Sequence, residues 1–218
     1  MSTHPPAHKR DCPHLTRALS SHETTSSAFV WSCYLLAIHQ DIQTTLRNEV
    51  RAALSAAESS DLSSIIESLP YLNGIMHEAL RLYPTAPVLL RVAEVDTNLL
   101  GSPVPKGTAI VIPPWLMNRS PEFWGEDAAE FRPQRWIDAN GRPNNTGGGK
   151  IGILTFLHGP RGCIGEGFSK AELRCLIAAM VSRFELELDM PEENVVPAGA
   201  VTIRPGNGLY VKLKVVNV

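Results

Sequence analysis

Apolar positions along the chain change rhythm several times. From about Ser20, Phe29, Val30, Trp31, Tyr34, Leu35 and Ile38 recur at helical spacing. Ser20 with Glu23 three residues on reads as a capping box, which predicts a helix start there. A second helix is predicted from about Asp41, where Ile42, Leu46, Val50 and Leu54 step by four. Ser59 to Ser64 reads as a loop. Pro70 suits a first helical turn, and Leu72, Ile75, Met76 and Leu80 give an amphipathic helix ending before Pro84. A further helix is predicted after Gly165, through Ala171, Leu173, Cys175, Leu176, Ala179 and Met180.

Between these helices the pattern shortens. Val88 to Val92 is a short apolar run, and Asn98–Leu100 with Ala109–Ile112 predicts a hairpin around Gly101, Pro105 and Gly107. From Pro113 to Gly152 turn formers dominate, with Trp115, Phe123, Trp124, Phe131 and Trp136 scattered among them, and 144–149 reads as a flexible surface loop. The tail alternates through Phe184, Leu186, Leu188, then Val201, Ile203, then Tyr210, Val211, Leu213 and Val215, with Gly206-Asn207-Gly208 predicted to turn a hairpin. The fold class is therefore mainly α with minor, antiparallel β.

Composition narrows the picture. At 44% hydrophobic and 19% charged residues, the chain can build a core. A formal charge of -2 argues against a dominant nucleic-acid surface. No run of 18 apolar residues offers a membrane span, and the Pro/His-rich start lacks the apolar stretch of a signal peptide, so an intracellular location is expected. Residues 1–21 are expected to form a disordered leader. The group His4, His8, Cys12 and His14 within it matches no zinc spacing.

Chemistry concentrates in Phe156-Leu157-His158-Gly159-Pro160-Arg161-Gly162-Cys163-Ile164-Gly165. Glycines lead a cysteine into a predicted helix start, where helix amides favour a thiolate. Arg161 adds positive charge suited to a carboxylate. A rigidly held anionic sulfur is either a nucleophile or a ligand to a soft or borderline metal. His158 reads as a loop histidine.

This loop resembles the haem-binding loop of the cytochrome P-450 family, F-x-x-G-x-R-x-C-x-G. Phe156, Gly159, Arg161, Cys163 and Gly165 match all five fixed positions. A chance match in a chain of this length is on the order of 10⁻⁵ to 10⁻⁴. The resemblance implies that Cys163 is the axial thiolate ligand of haem b iron, with Phe156 packed beside it and Arg161 paired with a propionate. Arg91 would give a second propionate contact, and Val88–Leu90 with the turn Gly199–Thr202 would line the substrate pocket.

Two more segments extend the likeness. Glu78-Ala79-Leu80-Arg81 places opposite charges three apart on one helix face, as in the family's E-x-x-R pair. Phe131-Arg132-Pro133-Gln134-Arg135-Trp136 resembles F-x-P-E-R-F/W, with Gln134 where Glu is usual. The resemblance implies a buried structural network of Glu78, Arg81 and Arg135. Ser20-Ser21-His22-Glu23-Thr24-Thr25 resembles A-G-x-E-T-T, in which Glu23 and Thr24 would relay protons on the oxygen side of haem, although Ser20 and Ser21 replace small residues.

The resemblance runs from about His22 to Val218 and corresponds to the C-terminal half of the family's domain. Its overall look is that of eukaryotic, fungal microsomal members common in secondary metabolism, whose full-length forms are anchored in the endoplasmic reticulum membrane. It implies a haem-thiolate monooxygenase that inserts one atom of dioxygen into an apolar organic substrate, with electrons from NADPH through a reductase. Rival expectations are a non-catalytic haem-binding remnant, a fragment unable to fold alone, and a haem hydroperoxide isomerase or lyase. The Glu23-Thr24 pair disfavours the last of these.

Overall fold

The computed structural model describes residues 13–56, 61–144, 146–147, 149 and 152–217, with first-helix side chains from His22 onward. Four long helices form the frame: α1 (Pro13–Ile38), α2 (Gln40–Ala56), α4 (Pro70–Leu82) and α7 (Glu166–Arg183), with the short α3 (Leu62–Ser68) between α2 and α4. Their facing sides build one core, in which Trp31, Leu46, Leu72, Ile75, Met76, Leu173 and Val181 are completely buried. Truncating one of these to alanine removes roughly 2–5 kcal/mol.

Helix boundaries follow local chemistry. Residue 20 lies inside α1, so the capping box predicted at Ser20 does not start a helix. Nothing between His14 and Ile38 is Pro or Gly, and Pro13 suits the first position, so the helix runs on through the polar stretch. This helix takes in 13–21 of the expected leader; residues 1–12, with His4, His8 and Cys12, lie outside the described residues. Of the predicted loop at 59–64, residues 59 and 60 lie outside the described residues and 62–64 belong to α3, whose cap is Asp61 accepting from the Ser64 amide at 3.2 Å. At the start of α4, Pro70 occupies the first turn and no cap side chain is in sequence. Glu49 of α2 supplies it, accepting from the Tyr71 and Leu72 amides at 2.8 and 2.9 Å.

The strands pair in four small antiparallel ladders. β1 (Leu89–Val92) pairs with β4 (Ala109–Ile112), and β2 (Thr97–Leu99) with β3 (Ser102–Val104). The predicted pairing of Asn98–Leu100 with Ala109–Ile112 is therefore replaced. Leu100 and Gly101 both have positive φ, 50° and 89°, and make the tight two-residue turn that closes β2 on β3. β5 (Phe184–Leu188) pairs with β8 (Val211–Val215), and β6 (Pro197–Ala198) with β7 (Arg204–Pro205). Gly206–Gly208 thus passes between two different ladders and is not the predicted hairpin turn. Between β4 and α7 lie α5 (Pro114–Met117), α6 (Pro121–Trp124) and a 3-10 turn at Pro133–Trp136.

The aromatic residues of that middle segment make a second core of Trp124, Ala128 and Trp136. Gly147, buried with φ +59°, lies against it: a Cβ there would meet the Trp136 ring at 2.8 Å. At least this part of the expected surface loop is packed.

Candidate functional site

The site is built from below. On α4, Glu78 and Arg81 are completely buried and meet as a two-pronged pair, Nε to Oε2 at 2.9 Å and Nη2 to Oε1 at 2.7 Å. The other three guanidinium protons go to the carbonyls of Asn118, Ala128 and Glu130, so all five donors of Arg81 are used. Glu78 also accepts from the Arg132 amide, Arg135 Nε at 3.3 Å and Trp136 Nε1 at 2.8 Å. Gly74 permits this approach: a Cβ there would stand 2.6 Å from the Pro133 carbonyl oxygen.

Glu78, Arg81 and Arg135 are thus brought together, with a fourth charged residue beside them. Asp127 accepts from Arg135 at 3.1–3.2 Å and also pairs with Arg132. Burial works against its charge, yet the Arg132 hydrogen bond and the Arg135 charge hold its carboxyl below the usual range. Two carboxylates then balance the buried pair of arginines, where Glu78 alone would leave one positive charge uncompensated in a poorly solvated site.

A polar relay ties this network to the cysteine loop. Buried Asn118 accepts from the Leu154 amide at 2.9 Å and donates to Thr155 Oγ1 at 3.1 Å. Thr155 in turn donates to the Leu80 carbonyl at 2.6 Å. The loop then closes on itself, with the Cys163 amide donating to the Phe156 carbonyl at 2.9 Å and the Gly162 amide to the Gly159 carbonyl at 2.9 Å. Leu157 is held at φ 57°, costly for a residue with a Cβ, while Gly159 takes φ 76° without that cost. Gly165 caps α7, and a Cβ there would touch Cys163 Sγ at 3.9 Å. Cys163 thus stands two residues before the helix cap, with its own amide already used within the loop.

What surrounds the thiol fits a flat, apolar, doubly anionic group. Cys163 is exposed, as are Ile164 at 98% and Phe168 at 68% exposure, large apolar side chains of the same loop and of the first turn of α7. Arg161 has no hydrogen bond or ion pair among the described residues, and Arg91 donates only to its neighbour's carbonyl. Phe156 lies under Lys170 Nζ, 5.4 Å from its ring centre. Cys33 is buried, and burial pushes it up to about 12, whereas Cys175 is exposed on α7. His158 is exposed.

Helix α1 approaches the same end. Thr25 and Ser169 share a hydrogen bond of 3.0 Å, which brings the Glu23–Thr24 segment to the first turn of α7, six residues beyond Cys163. Glu23 accepts from Thr202 at 2.8 Å. The sequence reading missed Asp127, Asn118 and Thr155, which no motif marks.

A model of the family described as cytochrome P450 matches residues 14–210. The chain belongs to the cytochrome P450 family. It is 45% identical over 199 residues to cytochrome P450 monooxygenase sphH of Aspergillus fumigatus, covering 88% of this chain and 36% of that protein. It is 45% identical over 206 residues to cytochrome P450 monooxygenase abl5 of Leptosphaeria maculans, covering 88% and 37%. Cytochrome P450 monooxygenase ptmK of Penicillium ochrochloron is 43% identical over 199 residues, covering 89% and 39%. The chain spans well under half the length of these fungal relatives. The mainly helical architecture with small antiparallel ladders agrees with the expected P450 fold class. Haem is the cofactor that membership of this family implies. No helix among the described residues is long and apolar enough to cross a membrane.

Proposed function

We propose that this chain supplies the haem-binding floor and the proton-delivering helix of a monooxygenase acting on an apolar organic substrate. The observation behind the reading is the exposed Cys163 on a pre-shaped loop, flanked by uncovered Ile164 and Phe168, with α1 bonded to the first turn of α7. Cys163 would hold the haem iron as thiolate, while Arg161 and Arg91 would take the propionates. Bound haem supplies the activation of dioxygen, with electrons from NADPH through a reductase. Glu23 and Thr24 move protons from solvent toward the oxygen side of the site. Val88 and Leu90, at 52% and 62% exposure, offer apolar surface to a substrate.

A second reading concerns the chain acting alone. Ile164, Phe168, Val88 and Leu90 remain open to water in this fold. A site open to water releases reduced oxygen before a substrate reacts. The purified, haem-loaded chain with reductase and NADPH distinguishes the two. NADPH oxidation with hydrogen peroxide and no product, from a panel of apolar compounds, would mark a chain that needs further protein over its site. Product formed in step with NADPH use would make it a self-sufficient monooxygenase. Absence of NADPH oxidation above that of haem-free chain would overturn both.

A further inference from the structure

Three side chains spaced four apart on α1, Glu23, Ser27 and Trp31, present one face of the helix to a single turn. Glu23 accepts from Thr202 Oγ1 at 2.8 Å. Ser27 Oγ and Trp31 Nε1 both donate to the Ile203 carbonyl, the latter at 3.2 Å. The Ile203 amide donates to the Thr85 carbonyl at 2.9 Å, fastening the turn from its other side. Ile203 is 5% exposed and Trp31 fully buried, so this end of the turn is fixed. Gly199 sets its other end: at φ +146°, a Cβ there would stand 1.8 Å from the Thr202 carbonyl oxygen. The turn is therefore a bracket held at both ends, and its hydroxyl, Thr202 Oγ1, meets the acid from between them.

We propose that Thr202 is a positioning residue for Glu23. The inference rests on the proton-delivering role given to Glu23 above. Carboxylates on exposed helix turns sample several rotamers, and a donor held on a fixed bracket removes most of that freedom. The hydroxyl donates to Oε1, which leaves Oε2 as the oxygen that exchanges a proton. That proton passes toward Thr24 and is replaced from water, so the carboxyl group ends unchanged. Ser27 and Trp31 act through the bracket, not on the acid.

Four variants separate the possibilities: Thr202→Val, Thr202→Ser, Glu23→Gln and Glu23→Ala. The first readout needs no haem: amide hydrogen exchange of the segment 199–203 in the whole chain. Thr202→Val and Glu23→Ala should exchange several-fold faster there. Thr202→Ser and Glu23→Gln should stay near wild type, because a hydroxyl and an amide oxygen still pair. The second readout is the solvent deuterium isotope effect on NADPH oxidation by the haem-loaded chain with reductase. It should change for Thr202→Val and Glu23→Gln and be restored in Thr202→Ser. Wild-type exchange in Thr202→Val, or failure of Thr202→Ser to restore the isotope effect, would overturn the proposal. An isotope effect untouched by Glu23→Gln would instead remove Glu23 from proton delivery. The exchange contrast between Val and Ser would then decide alone whether Thr202 holds that side chain.

Discussion

Glu78 accepts five hydrogen bonds in a site with no solvent exposure, and that sets the consequence of touching it. Removing its charge by Glu78→Gln strands Arg81, also fully buried, and should lower stability by roughly 3–5 kcal/mol. Asp127→Asn removes a carboxylate that is partly exposed but leaves Arg135, 8% exposed, short of its counter-charge. A loss of roughly 1–3 kcal/mol is expected there. The double variant should lose clearly less than the sum, since both act on Arg135. Urea unfolding of the four proteins measures this, and strictly additive losses of a few tenths of a kcal/mol would mean independent surface charges. The motif residues of this network were legible in the sequence because E-x-x-R and the Phe131–Trp136 element are local patterns. Asp127, Asn118 and Thr155 were not, because no local pattern pairs them with their partners, which lie 5 to 75 residues away in the chain.

At the scale of elements, long apolar periods survived the comparison with structure and short ones did not. Helices α2, α4 and α7 lie where the spacing put them, but α7 buries Leu173, Arg174, Ile177, Ala178 and Val181 and leaves Ala171, Leu176 and Ala179 of the predicted face exposed. Strand pairing followed the turns instead. Leu100-Gly101 took β2 to β3 by its positive φ angles, and Asn98 Oδ1 caps that turn at the Gly101 amide, 2.7 Å away. Alternation alone says nothing about which run pairs with which. The turn at Gly199 gives an element-level test: Gly199→Ala should destabilise the chain by more than about 2 kcal/mol, because its Cβ would stand 1.8 Å from a backbone oxygen. A thermal melt unchanged by that substitution would contradict the bracket.

His77 couples α4 to its neighbours and to pH. It is buried, stacked on Trp136 at 4.8 Å between ring centres. Burial, helped by the charges of Lys170 and Arg174, lowers it to about 4, against about 6.5 in an unfolded chain. Between these values the unfolded chain binds the extra proton, so stability is fully present above about pH 6.5 and falls as pH drops toward 4. The loss should reach about 3 kcal/mol, and His77→Phe should flatten that part of the profile. Stability curves of wild type and variant between pH 4 and 7.5 with equal slopes would show that His77 is not the responsible group.

On the scale of the whole molecule, a sealed apolar core lies beside exposed apolar side chains at the cysteine loop. Trp31, Leu72, Ile75 and Leu173 are sealed among four helices, yet Ile164 at 98% and Phe168 at 68% exposure stand beside an exposed thiol. The chain covers 36–39% of the length of the cytochrome P450 monooxygenases it resembles. The family and the loop were legible because the loop's five fixed residues fall at set spacings within ten positions, Phe156 to Gly165; the strain at Leu157 and the bonding of the Cys163 amide were not, because backbone angles leave no mark on residue type. The account stands or falls on Cys163 as the iron ligand. The most direct measurement is the absorption spectrum of the haem-loaded chain, reduced and exposed to carbon monoxide, for wild type and Cys163→Ala. Wild type should show the strongly red-shifted Soret band of thiolate ligation and the variant should lack it; the same spectrum from both, or no red shift in wild type, would contradict the assignment.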